Sequence, residues 1–521
     1  IGSAINAVSR AGTNKFSGSV YNYYRNEKQR GDKVEKTTFI RPKEQYKLEG
    51  VRFGGPIIKN KLFFFFNYEK ETQPKTIQTR FAATPAAAFG SSPQIARPTS
   101  SELDAIRSYL LSTYGYETGP YDNYSTNVLR KKILARLDWN ISSKHRFNMR
   151  YSQVEGGEPN PPSTSTTGTG NSFASGAGRT DVNALWYKNS NYFQGANFYS
   201  FSAELNSSFG KISNTLRGTY TFQNDSRTSE SPRTDPAKTG GNSFDMPFVD
   251  ILSGGSPFTS FGYEPFTFGN LRKVKTYSFL DNISWKTNKH SWIVGVQADL
   301  STTVNGFQRF ATSYYRFASW NDFITAQKPT DFAYTYSLSP GFAQAFPSFK
   351  FAQYSVYGQD EIAINKNFRL TLGLRLDQPG YPDVDEIKTH PLVSALTFSN
   401  GEKINTGNLP GKKVMWSPRV GFNWDLYGDR SLQIRGGTGI FTGKVPFVWI
   451  VSQSGDAGLL QVTQSFNSPT TVPGPFNPNP RAYYPAVIPT AGKVIPTAID
   501  VVTPSFKNPQ SWKTSIAMDT K

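Results

Sequence analysis

The chain has 521 residues, a net charge of +19, 15% aromatic residues, 44 Gly and no Cys. Without Cys there are no disulfides, zinc–thiolate sites or thiol nucleophiles, and no apolar run approaches the roughly 18 residues of a membrane-crossing helix. Aromatic richness argues against disorder. The basic residues are spread along the chain, which argues against nucleic acid and for a basic rim facing anionic lipid head groups or lipopolysaccharide.

The sequence opens on Ile1-Gly2-Ser3 with no basic start, apolar core or cleavage site. For an exported protein this is the expectation for a piece whose front lies elsewhere. The first predicted hairpin runs from Gln45 to Phe53, turns through Pro56 to Asn60 and returns over Leu62 to Tyr68. A long polar stretch, 73–128, follows. Within it Leu103, Ile106, Leu110 and Leu111 lie at helical spacing, predicting a helix over Ser101 to Tyr114 with Ser101 as N-cap.

From Lys131 to Tyr151 the chain alternates. Ile133, Ala135, Leu137 and Trp139 interleave with Leu134, Arg136, Asp138 and Asn140, and after Ser142-Ser143-Lys144 the pattern resumes with Phe147, Met149 and Tyr151. This is a hairpin with one apolar and one polar face. The unit recurs at Phe201–Phe209 with Ile212–Phe222, at Tyr277–Trp285 with Trp292–Leu300, at Tyr354–Ile364 with Leu370–Leu376, and at Val420–Leu426 with Leu432–Ile434. The last strand is Ser511 to Asp519, and the total is about fourteen. Between hairpins lie Pro-, Gly-, Ser-, Thr- and Asn-rich stretches at 155–192, 226–270, 305–350, 379–412 and 446–508, all read as loops.

So many long loops are foreign to a compact soluble domain. They are the normal layout of a transmembrane β-barrel, whose antiparallel strands of about ten residues alternate apolar-out and polar-in, with short turns on one side and long loops on the other. Only a closed barrel satisfies every strand's backbone in lipid. Aromatics near strand ends, among them Tyr21, Tyr23, Tyr24, Trp139, Trp285, Trp292, Trp416 and Trp424, suit interfacial girdles. The fold class is therefore all-β, an antiparallel barrel.

Candidate functional residues fall in three groups. Arg136, Asp138, Arg146, Asn148, Arg150, Arg217, Arg369 and Arg375 are lumen-facing, for a plug, a substrate path or simply hydration. Aromatic clusters in the loops, with Tyr314, Tyr315, Trp320, Trp449, Tyr483 and Tyr484 as the candidate ligand contacts, suit stacking on sugars, peptides or a catecholate. Asp383, Asp385 and Glu386 supply too few oxygens for calcium and read as a solvated turn. No metal, cofactor or catalytic residue is assigned, and no enzyme is expected. The three histidines, His145, His290 and His390, form no nucleophile–base constellation at the outer rim, the first two falling at short turns. Arg435-Gly436-Gly437-Thr438-Gly439 lacks the Lys-Ser/Thr and helix of a phosphate loop and reads as small residues in a strand beside a plug.

The first 26 residues resemble the junction of plug and barrel in TonB-dependent outer-membrane transporters, and more narrowly the Oar-like branch, which carries a carboxypeptidase-regulatory-like domain ahead of its plug. The plug's last strand in that family reads Ile-Asn-x-x-Thr-x-x-Gly-Thr-Asn. Ile5, Asn6, Gly12, Thr13 and Asn14 match, and Ser9 stands where Thr is usual. Phe53 to Phe65, Tyr357 to Glu361, Leu372 to Asp377, Ser417 to Phe422 and Arg435 to Phe441 resemble the same branch in matching order. The resemblance implies that 1–15 end a plug domain and 16–521 form an incomplete barrel, about fourteen of 22 strands, with Phe16 to Asn26 as its first. It implies import of a siderophore, peptide or oligosaccharide, driven by the proton gradient through the TonB–ExbB–ExbD complex, which acts on a preceding N-terminal part. A surface lipoprotein lid is a further candidate partner. The alternative is an Oar-like barrel serving surface-protein export, adhesion or assembly without classical uptake.

Overall fold

A computed structural model describes residues 8–41, 44–165, 178–382, 387–455, 457–496, 499–503 and 505–521. Fourteen strands form one continuous antiparallel wall in chain order. They are β1 (Ser17–Asn26), β2 (Gln45–Ile58), β3 (Leu62–Lys75), β4 (Thr126–Asn140), β5 (His145–Glu155), β6 (Phe198–Phe209), β7 (Ile212–Ser229), β8 (Leu271–Lys286), β9 (His290–Gly306), β10 (Ser348–Ala363), β11 (Phe368–Gly380), β12 (Met415–Asp425), β13 (Leu432–Thr442) and β14 (Gln510–Thr520). The strand count and the hairpin pairing agree with the sequence reading. Two short strands, Gly157–Asn160 and Tyr192–Gly195, extend the wall beyond β7 at its loop end.

Alternation fixes the two faces. Leu216, Phe279, Val296, Tyr354 and Val356 are exposed on one. The other carries ion pairs, including Arg136–Asp138 at 2.6 Å, Arg375–Asp377 at 3.0 Å and Arg369–Glu361 at 3.2 Å. A one-residue slip would exchange the two faces, so the pattern also fixes register. Trp285 and Trp292 pair directly across β8 and β9 and stack with centroids 6.0 Å apart near the short-turn end. Small residues crowd within the wall itself: a Cβ on Gly436 would lie 2.7 Å from the Phe422 ring. The neighbouring strand supplies the constraint at Gly436.

The loops differ from their sequence reading. Among the described residues, parts of them form regular structure. Five of them together bury one apolar core, in which Ala96, Leu103, Ile106 and Leu110 meet Leu185, Val249, Ile251, Tyr315, Phe317, Phe332 and Val462. A six-stranded mixed sheet spans it, with Leu185–Trp186, Ser256–Phe261, Phe248–Ser253, Tyr314–Phe317, Asp331–Ser337 and Gln461–Phe466 in spatial order. We call this folded unit the cap.

The predicted helix exists over Ser100–Tyr114, but its N-cap is Thr99 rather than Ser101. The reason is reciprocity: the Thr99 hydroxyl accepts from the Glu102 amide while the Glu102 carboxylate accepts from the Thr99 amide at 2.9 Å, a capping box that Ser101 cannot form with Asp104 three residues on. Leu103, Ile106 and Leu110 are buried as the spacing predicts, whereas Leu111 points outward.

Candidate functional site

Two regions bring chemistry-bearing residues together: the segment entering β1, and the cap. Ile5 and Asn6 lie outside the described residues, as do Asp383, Asp385 and Glu386. Gly12, Thr13 and Asn14 are described.

Gly12 lies against the wall where β2 and β3 meet. A Cβ there would stand 2.3 Å from the Phe64 carbonyl oxygen and 2.9 Å from that of Gly55, so only Gly fits. Asn14 reaches the turn between β2 and β3. Its Nδ2 donates to Asn60 Oδ1 at 2.5 Å, and the Asn60 amide donates back to Asn14 Oδ1 at 2.7 Å. Thr13 turns its hydroxyl to the Lys15 carbonyl at 2.9 Å. Ser9 accepts from Arg136 Nη1 twice, at its carbonyl (2.9 Å) and its hydroxyl (2.7 Å), while Asp138 holds the same guanidinium. Arg136 was read as lumen-facing; it is the residue that ties the entering segment to the polar face.

Asn60 sits at φ +63°, a backbone region that Asn tolerates better than most side chains. Asn60→Ala removes the Asn14 Nδ2 bond to the side chain, leaves the backbone amide bond to Asn14 Oδ1, and strains this turn. The expected loss is about 1–2 kcal/mol, read as a lower thermal midpoint, with Asn60→Gly relieving the backbone part only.

The cap sorts the candidate aromatics. Tyr314 and Tyr315 are fully buried and serve packing rather than a surface. Trp320 stacks on Phe323 at 5.1 Å and is half-buried. Tyr484 packs on Tyr334, Tyr336 and Phe342 and donates to the Thr335 carbonyl at 2.7 Å. Tyr483 is partly exposed and donates to the Pro475 carbonyl at 2.6 Å. Trp449 is the most exposed of the six and lies apart, in the helix Phe447–Gly455 against Phe506.

The sequence reading missed a charged knot beneath the cap sheet. Asp250 accepts from Arg179 Nε and Nη2, both at 2.7 Å, from Ser260 at 2.7 Å and from Tyr314 at 2.6 Å. Arg316 donates to the Tyr314 hydroxyl and pairs with Asp331 at 3.3 Å. All six are at most 3% exposed. Burial alone pushes the Asp250 carboxyl up, but the attraction and hydrogen bonds of Arg179, with Arg316 and Tyr314, hold it below the usual carboxylate range. Burial raises the Tyr314 hydroxyl, and the Asp250 charge adds to that. One signal for the local strands was legible: Gly254 and Gly255, both with positive φ, form a two-residue turn between Phe248–Ser253 and Ser256–Phe261.

Among families, residues 8–521 match the one described as "Outer membrane beta barrel domain". The chain belongs to this family. The outer membrane beta barrel domain is an integral outer-membrane structure, so the exposed apolar face of the wall is the lipid face and the ion-paired face lines the lumen. No curated protein matches the sequence. Solved structures similar to the domain include the outer membrane transporter YddB from Escherichia coli, at 10% identity over 84% of this chain and 44% of that one, TM-score 0.45. The siderophore receptor PirA from Pseudomonas aeruginosa aligns at 9% identity over 84% and 45%, TM-score 0.40. A mutant ferric enterobactin receptor, PfeA, from the same organism aligns at 10% over 88% and 50%, TM-score 0.44. The domain thus spans about half the length of the structures it matches.

Proposed function

We propose that this barrel belongs to a TonB-dependent outer-membrane receptor of the Oar-like branch, which imports a ligand captured by the loops. In this reading residues 1–15 end a plug domain, 16–521 are the larger part of its barrel, and the plug is worked by TonB–ExbB–ExbD. The supporting observation is the docking of the Ser9–Asn14 segment: it enters β1 from the polar face of the wall, tied by Ser9 to Arg136 at one end and by Asn14 to Asn60 at the other. A strand that merely began a pore needs no such anchorage. A chain leaving a plug does.

The packed cap favours a second reading, in which the same scaffold docks or exports a surface protein. Uptake by cells carrying the full-length protein, with and without functional TonB, separates the two. Import requires that ligand entry cease without TonB. Entry that continues unchanged rejects import and leaves the docking reading.

A further inference from the structure

A cleft of about 500 Å³ opens in the cap where the segments 230–270, 307–347 and 443–509 meet. Its lining differs from the cap's core. The amides of Asn242, Gln308 and Asn479 share it with the rings of Phe268, Phe342 and Tyr484. Tyr484 and Phe342 pack edge to face at 5.2 Å, and the Tyr484 hydroxyl is anchored to backbone, so these rings form a fixed wall. Apolar rings with a few placed polar groups are the usual make-up of a small-molecule site.

Two lining side chains carry unmet hydrogen-bonding capacity. Gln308 is 4% exposed; its Nε2 donates to the Thr335 carbonyl at 2.8 Å, and its Oε1 has no partner. Thr312 is 2% exposed, and its hydroxyl likewise has none. Buried polar atoms in native proteins are nearly always satisfied, and exceptions mark function or a missing partner. Gln308 Oε1 can only accept, while the Thr312 hydroxyl can donate or accept, so ligand hydroxyls would satisfy both.

Charge narrows the class. Arg233 is engaged by Asp245 at 3.7 Å. Arg481 donates to the Gly341 carbonyl at 3.3 Å and has no carboxylate in ion-pair range among the described residues. The cleft therefore carries one uncompensated guanidinium, a fork suited to a carboxylate.

We propose that this cleft binds a saccharide unit bearing a carboxylate, a uronate-type sugar. Its hydroxyls meet the amides and Thr312, its ring face stacks on Tyr484 and Phe342, and its carboxylate pairs with Arg481. The site deepens the receptor reading and rests on it only for the direction of transport.

Titration calorimetry on the full-length protein in detergent tests this with three probes: galacturonate trimer, neutral maltotriose and triglutamate. The uronate is expected to bind at least about tenfold more tightly than maltotriose, with Arg481→Met removing that margin. Arg481 is exposed, so the thermal midpoint of the variant should not move. Asn479→Ala, also at the surface of the cleft, is expected to weaken the uronate several-fold. Three outcomes overturn the proposal: no binding of the uronate, equal binding of uronate and maltotriose, or triglutamate binding as tightly as the uronate. Indifference of uronate affinity to Arg481→Met overturns it too. If the bound uronate enters cells without TonB, the importer reading fails while the cleft assignment stands.

Discussion

Asp250→Ala is expected to unfold the cap and leave the barrel wall standing. The variant takes from the fully buried Arg179 the carboxylate that holds it at two nitrogens, and takes away the acceptor that Tyr314 and Ser260 use. Removing one partner of a buried pair costs about 3–5 kcal/mol, because the remaining charge stays desolvated. Phe248–Ser253 is one of the two central strands of the cap sheet, paired on both sides, so its loss propagates through the six strands. Limited trypsin digestion should open sites in the cap segments 178–192, 230–270 and 307–347 that resist cleavage in the parent, while the β-sheet circular dichroism of the wall persists. A double change, Arg179→Met with Asp250→Leu, should be far milder, since both charges leave together. The pH dependence has a definite sign. The folded Asp250 carboxyl lies below its ordinary value, so its contribution is present above the unfolded value of about 3.9 and is lost as pH falls through the folded one. Loosening is expected in acid and not at neutral pH. Equal protease resistance in Asp250→Ala and parent contradicts this account.

The knot also shows where sequence reading stopped. The wall was legible because its information is local: Leu137 and Met149, or Trp139 and Phe147, face each other across a four-residue turn, and a period of two is visible in any short window. The cap was not, because its partners are distant. Phe332 pairs with Phe466, Val249 with Tyr315 in parallel, and Leu185 with Thr259 in parallel. Strands of two to seven residues, each also partnered by another loop, leave little hairpin signature outside Gly254-Gly255, and Pro and Gly between them imitate coil. Tyr314 and Tyr315 illustrate the consequence. Adjacent in sequence, they point to opposite faces of the cap sheet, Tyr314 into the charged knot and Tyr315 into the apolar core. Read as a cluster of loop aromatics, they suggested a binding surface. The Gly254-Gly255 turn was the one local clue to a sheet. The junction motif was legible as residue types, but its partners, Arg136 and Asn60, came only with the fold.

At that junction, Gly12→Val is expected to lift the entering segment off the wall. The obstacle is space, not backbone conformation: the new Cβ would overlap the Phe64 and Gly55 carbonyl oxygens, and both belong to strands locked on either side by ladder bonds. The segment must move instead, breaking Ser9 from Arg136 and Asn14 from Asn60. Hydrogen bonds to a charged partner contribute about 1.5–3 kcal/mol, so the docked state should lose at least about tenfold in population. The chain's lack of Cys makes this directly measurable. With Thr13→Cys and Lys61→Cys introduced, beside the Asn14–Asn60 pair but leaving it intact, a short thiol cross-linker should join the two positions when Gly12 is present and fail to do so in the Gly12→Val background. Gly31→Val is the matched control, since nothing lies within 4 Å of its Cβ position. Under the receptor reading, Gly12→Val also abolishes uptake while leaving the cap and its cleft intact, because the loops sit at the opposite end of the wall from the turn that Asn14 holds. Undiminished cross-linking in Gly12→Val would mean that the wall yields to the side chain, and the anchorage could not then be what ties the plug to the barrel.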